Sequence, residues 1–331
     1  MRPTLTLRIF LFWLARQSRR RGIAPRTIVL DEIPPIPAPQ PSADVLQQIR
    51  RVTGRPSFPV SLSSLRIRQW CEIRVPGAEG QRNARLYRPR GKVRGVVLFL
   101  HGGGFVHCDL VSHHGICCRL AAASGAMVLS LDYRLAPEHR FPAALDDAKA
   151  ALEWIFATVP ADMPVAVAGD SAGGNLSAAL TQWVRALGSR PLSAQLLYYP
   201  ALSGPFVPPS RQAYADGYML SVELLYWYCG QTLASPEQLF DPAFSPLLAD
   251  DFETLPPAMI VTAGFDPLRG EGELYARRLN EAGVSVVLKN FPRMIHGFLN
   301  GYALFRDGRR ALREGGLFLR EAFAQEKNGA P

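Results

Sequence analysis

From about residue 65 onward, short aliphatic and β-branched runs alternate with helix-length segments, and this rhythm narrows the possible folds more than any other feature of the chain. Strands are expected near 70–75, 83–88, 95–100, 126–131, 164–168, 194–199, 258–263 and 284–291. Helices are expected near 111–124, 143–158, 172–187, 267–282 and 303–325. The runs 95–100 and 164–168 are almost wholly apolar, as strands covered on both faces must be. The pattern predicts an α/β architecture: a mostly parallel eight-stranded sheet with helices on both faces. Residues 204–250 interrupt the rhythm with Pro208, Pro209, Pro236, Pro242 and many aromatics, and read as an insertion above the sheet.

At 331 residues and 48% hydrophobic, the chain can bury one large core, and its length fits a single catalytic-size unit with additions. The net charge of +9 is concentrated: residues 1–60 hold ten arginines against three acids, so the high pI reports an N-terminal arm and not the body. The arm lacks the aromatic and glycine interleaving of an RNA-binding module, so no nucleic-acid partner is expected. Its apolar patch, Ile9–Ala15, is too short to span a bilayer, and the arginines that follow replace a leader-peptide cleavage region. A helix over an active site, or one making peripheral membrane contact through residues 1–30, is expected instead. The Pro-dense stretch 32–41 reads as a stiff connector, closing a basic N-terminal segment at about residue 65. Five cysteines without a CxxC pair suit a reducing, cytoplasmic setting. His113 and Cys117, like His114 and Cys118, sit at i, i+4 spacing, which reads as helix packing and not as a metal site.

Chemistry enters at "GDSAG", residues 169–173, where an apolar strand runs into a helical segment. A G-x-S-x-G sequence in that setting holds the serine at the tip of a strained turn, with glycines where side chains would collide. Ser171 is therefore the candidate nucleophile, and it needs a base oriented by an acid. Of six histidines, only His296 follows the last predicted strand, and Asp266 stands just past the strand before it. The order Ser171, Asp266, His296 is the one this topology requires. Glu271 and Glu273 are rival acids expected to face solvent, and Asp266 as a simple helix N-cap is the bland alternative. The glycines of "HGGGF" after the third strand let backbone N–H groups approach a substrate, so Gly102 and Gly103, with Ala172, are the candidate oxyanion donors.

With these residues in place, the chain resembles the hormone-sensitive-lipase family of bacterial α/β-hydrolase carboxylesterases. The resemblance rests on "HGGGF" (101–105), "DYRLAPEHRFPAALDDA" (132–148), "GDSAGGN" (169–175), "DPLRGEGELYARRL" (266–279) and "HGF" (296–298). It implies an α/β-hydrolase fold over residues 66–331, a helical cap built from the N-terminal segment 1–65 and the insertion at 204–250, and hydrolysis of small-molecule acyl esters of short to medium chain length. It allows a homodimer, and since the sequence holds no glycine-rich phosphate loop, metal cluster or dinucleotide fingerprint, no cofactor or metal is expected. Lactone, thioester or amide hydrolysis, or lipase action at a membrane surface, would use the same machinery. A receptor on this fold, of the kind represented by the plant gibberellin receptor, lacks the triad histidine that His296 supplies here. Asp132 and Glu138 flank Arg134 and are expected to form an ion network with it, while Asp170 and Asn175 are expected to support the catalytic residues. Pocket walls are assigned to Phe105, Tyr214, Tyr218, Leu220, Phe298 and Leu299.

Overall fold

The computed structural model describes residues 36–54 and 60–327, together with residues 3, 4, 6–8 and 11. Apart from Leu11, the apolar patch 9–15 lies outside the described residues, as do most of the basic arm and residues 32–35 of the Pro-dense stretch. The described residues form an eight-stranded sheet: β1 (Gln69–Gly77), β2 (Gly80–Arg88), β3 (Val96–Leu100), β4 (Met127–Leu131), β5 (Val165–Asp170), β6 (Ala194–Tyr198), β7 (Ala258–Phe265) and β8 (Val286–Ile295). The spatial order is β1-β2-β4-β3-β5-β6-β7-β8, antiparallel across β1, β2 and β4 and parallel from β4 to β8. Eight strands and the parallel majority match the reading from hydrophobic periodicity.

Alternation along the central strands explains why the sheet is covered twice. In β3, Val97 and Phe99 join one core, packed by Ile116 and Leu120 of α2 (His114–Ser124) and by Leu312 and Leu319 of α8 (Arg306–Lys327). Val96, Leu98 and Leu100 point the other way, against Leu145, Leu152 and Ile155 of α3 (Ala143–Thr158) and Leu176 and Leu180 of α4 (Ala172–Leu187). Each such side chain removed from water contributes about 1.5–3 kcal/mol, so neither face of this sheet tolerates a polar register. β3 lies between β4 and β5, which places the point where strand order reverses between β3 and β5. The loops leaving the carboxyl ends of those two strands open a crevice, where ligands bind in sheets of this kind. The remaining helices are α1 (Ala43–Thr53), α5 (Pro209–Ala213), α6 (Val222–Thr232) and α7 (Arg269–Glu281), of which α5 and α6 belong to the segment between β6 and β7.

The expected ion network around Arg134 takes a different form. Arg134 pairs with Asp147 of α3 at 2.9 Å and with Glu79 of the β1–β2 turn at 2.7 Å, and Asp132 and Glu138 take no part. The Asp147 carboxylate, fully buried, also accepts the N–H of Arg134 at 3.0 Å and of Ala78 at 3.0 Å. It thus ties a hairpin turn, a loop and a helix together, a role invisible in sequence because Ala78 is 69 residues away. Glu138 instead forms a bidentate pair with Arg50 of α1 at 2.7 and 2.8 Å.

Removing one member of a buried ion pair leaves the other uncompensated, a loss of about 3–5 kcal/mol. Asp147→Ala is therefore expected to lower unfolding stability on that scale in urea titrations, whereas Glu79→Ala, at an exposed carboxylate, changes it by about 1 kcal/mol or less. Equal effects of the two substitutions would contradict this assignment.

Candidate active site

Ser171 sits between the end of β5 and the start of α4 at φ 54° and ψ −118°, a strained conformation for a residue with a Cβ. The flanking glycines explain how the turn can exist. A Cβ on Gly173 would fall on the Leu100 carbonyl oxygen, and one on Gly169 would fall on the Gly173 carbonyl oxygen. The backbones of β3, β5 and α4 therefore meet closely only where both positions lack side chains.

His296 follows β8, and its Nε2 lies 2.8 Å from Ser171 Oγ. Its Nδ1 lies 2.8 Å from Asp266 Oδ2. The acceptor-only carboxylate fixes the tautomer, with Nδ1–H donating to Asp266 and Nε2 accepting from the Ser171 hydroxyl. Asp266 is fully buried just past β7, and its other oxygen accepts the N–H of Leu268 at 2.9 Å. The structure brings Ser171, His296 and Asp266 into one hydrogen-bonded run, and the N-cap-like contact with Leu268 coexists with it.

Glu271 does not face solvent as expected. It is fully buried in α7, accepts from the N–H groups of Leu202 at 2.7 Å and Ser203 at 2.9 Å, and pairs with Arg211 of α5. Burial raises its pKa more than Arg211 and the two N–H groups lower it. Glu273 is partly exposed and pairs with Arg269. Both rival acids thus have other partners.

Behind the serine, Asp170 organises the glycine loop. Its Oδ1 accepts the Gly102 N–H at 2.9 Å. Gly102 is therefore not available as an oxyanion donor, a correction to the sequence expectation: its N–H is already engaged and it does not line the cavity. Gly103 and Gly104 do line it, and among the described residues no acceptor takes their N–H groups. Burial opposes ionisation of Asp170, but His113, the Gly102 N–H and His101 outweigh it, and its pKa is lowered. Asn175 donates to the carbonyls of Ala201 at 2.8 Å and Phe244 at 2.6 Å, fastening α4 to the inserted segment.

Ser171 and His296 open on a cavity of about 320 Å³ whose walls include Phe105, Leu220, Leu224, Leu239 and Phe244. Phe105 and Leu220 stand where expected; Tyr214, Tyr218, Phe298 and Leu299 do not line the cavity. Tyr218 stacks on Phe265, Tyr214 meets both edge-on, and Phe298 and Leu299 are core residues. Aromatic content alone could not separate wall from core. Residues missed in the sequence include Thr53 at the end of α1 and the pair His107 and Tyr228, whose Nε2 and hydroxyl lie 2.6 Å apart on the wall. Cys108, beside them, holds φ 69°, which its sequence position does not signal. All five cysteines are free, and among the described residues no group of three potential ligands could hold a metal.

Comparison with known proteins gives a consistent set of similarities. The profile of the alpha/beta hydrolase fold family matches residues 97–300. The chain is 39% identical over 272 residues to Esterase LipI of Mycobacterium tuberculosis, covering 78% of this chain and 81% of that protein. It is 43% identical over 213 residues to Carboxylesterase NlhH of the same organism, covering 62% of this chain and 66% of that one. Among solved structures, an ester-hydrolase from the metagenome of Lake Arreo superposes with a TM-score of 0.84 at 34% identity, over 97% of this chain and 99% of that one.

His101, His107 and His114 each have a pKa lowered to about 4, chiefly by burial, with His113 acting on the first two and Arg85 on the third. Between an unfolded value near 6.5 and 4, the unfolded chain binds protons that the folded chain does not, so stability falls as pH drops through this window. Urea midpoints are expected to decline from pH 7 to pH 4.5, and His107→Gln to flatten the decline; a wild-type midpoint constant across that range would contradict the neutral, buried state of these rings.

Proposed function

Since this chain belongs to the α/β-hydrolase family and is a carboxylic ester hydrolase, we propose that it hydrolyses short- to medium-chain acyl esters through an acyl-enzyme on Ser171. What supports the reading above all is the hydrogen-bonded run from Asp266 through His296 to Ser171, ending at a cavity. His296 Nε2 takes the hydroxyl proton as Ser171 Oγ attacks the ester carbonyl, and Asp266 stabilises the imidazolium. The oxyanion is received by the N–H groups of Gly103, Gly104 and Ala172, at the N-terminus of α4, where the helix dipole favours negative charge. His296 then protonates the leaving alcohol, and a water deprotonated by the same imidazole releases the acid. The cavity lies near the small end of the roughly 300–1,000 Å³ range of ligand sites, which favours short and medium acyl chains over long ones.

The N-terminal segment 1–65 and the insertion 204–250 act in this reading as a cap, supported by the cavity contacts of Thr53 in the first and Leu220, Leu224 and Tyr228 in the second. The reading places the enzyme in the cytoplasm and allows a homodimer, with residues 1–30 touching membrane surfaces peripherally. No helix among the described residues is long and apolar enough to cross a membrane.

Turnover of a p-nitrophenyl ester series from acetate to palmitate is the direct test. Activity is expected to peak at short to medium chains and to fall about 10⁴-fold or more in Ser171→Ala. Retention of turnover in that variant would end the proposal, and a palmitate optimum would replace esterase by lipase.

A further inference from the structure

Three arginines gather around Tyr302, a residue of the cavity wall. The Arg119 guanidinium lies over the Tyr302 ring, 4.4 Å from its centroid. Arg309 donates to the carbonyls of Tyr302 at 2.7 Å and Ala303 at 3.1 Å. Ser63 meets the Tyr302 hydroxyl at 2.9 Å, from a 3₁₀ helix (Val60–Arg66) that ends in Arg66. Burial and then the charge of Arg66 press the Arg119 pKa downward, and Arg309 adds to the effect, so the three cations feel one another. Among the described residues, none of the three is in an ion pair with a carboxylate, and Arg119 Nε is buried without a partner.

Three leucines stand beside these cations with their side chains in water. Leu62, Leu65 and Leu304 are 54%, 68% and 63% exposed. In a 3₁₀ helix, residues three apart share a face, so Ser63 and Arg66 lie together on one side and Leu62 and Leu65 on another. Leu304 follows the two carbonyls that Arg309 holds. Leu62 and Leu65 thus stand on the side of this helix next to Arg66; exposed leucines leave apolar area in water, and apolar area beside cations becomes favourable against a surface that is negative at its headgroups and apolar beneath.

We propose that the surface carrying Arg66, Arg119 and Arg309 with Leu62, Leu65 and Leu304 docks the protein on an anionic lipid surface. The arginines take lipid phosphate or carboxylate groups, the leucines enter the upper acyl region, and Tyr302 links the docked face to the cavity wall. The occupant is a bilayer and not an acidic protein, because the exposed apolar groups sit among the cations. The proposal goes beyond the catalytic reading and rests on residues other than those of the arm 1–30.

Sedimentation of the full-length protein with vesicles tests it, comparing neutral phosphatidylcholine with phosphatidylcholine containing 30% phosphatidylglycerol. The wild type is expected to pellet with the anionic vesicles, to be released by salt, and to stay in solution with the neutral ones. A basic residue near an anionic surface is worth roughly fivefold in partitioning, so Arg66→Gln/Arg309→Gln should bind about 30-fold more weakly. Leu62→Ser/Leu65→Ser should also bind more weakly. Both variants should hydrolyse dissolved p-nitrophenyl acetate at the wild-type rate, which reports an intact fold and keeps this test apart from the catalytic one. Absence of wild-type binding at low salt would overturn the proposal. So would binding by both variants as tight as that of the wild type, which would assign the attraction to the arm, or a change of solution mass in the leucine variant without vesicle binding by the wild type, which would make the face a contact between two copies of this chain.

Discussion

Close backbone contact at the end of β5 is the constraint on which the site depends. Gly169 and Gly173 allow β3, β5 and α4 to approach within reach of one another's carbonyls, and no side chain fits at either position. Ser171 is forced to positive φ as a result, which lifts its hydroxyl out of the sheet edge toward His296. The same approach brings Asp170 against the loop after β3, where its carboxylate accepts the Gly102 N–H. Gly103 and Gly104 are thereby turned toward the cavity. Nucleophile and anion-binding loop are thus positioned by adjacent residues of one strand end, and a shift in either moves both.

The roof over this floor is held by charge as well as by apolar packing. Arg50 of α1 donates to the Val106 carbonyl at 2.9 Å and the Ala136 carbonyl at 3.0 Å in addition to its bidentate pair with Glu138. On the other side, Glu271 and Arg211 fix the start of the inserted segment through the backbone of Leu202, Ser203 and Gly204. Between them, Leu46 of α1, Val106 of the glycine loop and Trp227 and Tyr228 of α6 form a small apolar cluster. Three chain segments distant in sequence therefore converge beside the loop that carries the oxyanion glycines. Such a junction makes the cavity sensitive to how α1 is seated, although α1 contributes no reacting group.

The sheet, its helices and the Ser171, Asp266, His296 order could be read from the sequence because each rests on local pattern: continuous aliphatic runs, helix-length segments between them, or a motif whose glycines have one steric explanation. What stayed hidden depends on long-range partners. Nothing near Arg134 points to Asp147 in preference to Asp132 or Glu138, since the choice is made by which helix packs against the loop. Glu271 looks like a surface residue of a polar helix until Arg211 and two backbone N–H groups meet it in the core. The three glycines of 102–104 are equivalent in sequence, and only the Asp170 contact separates Gly102 from the other two. Tyr218 and Phe298 differ from Phe105 in what they pack against, not in composition.

A second run of the same residue types shows why proximity alone does not make a catalytic site. Ser112 Oγ lies 2.9 Å from His113 Nδ1, and His113 Nε2 lies 3.1 Å from Asp170 Oδ1, so serine, histidine and aspartate follow one another here too. The Ser112 hydroxyl, however, donates to the Asp109 carbonyl at 2.8 Å and accepts the Asp109 N–H at 2.9 Å, which holds it in a loop turn. The His113 to Asp170 contact is off the hydrogen-bond direction, and the same Asp170 oxygen already serves Gly102. At Ser171 these terms differ. The hydroxyl is held by no backbone acceptor among the described residues, the imidazole is aligned with both neighbours, and the first N–H groups of α4 stand behind the reacting oxygen. Reactivity at this fold is therefore a property of the strained strand-to-helix corner, which frees one hydroxyl from the backbone contacts that bind the other.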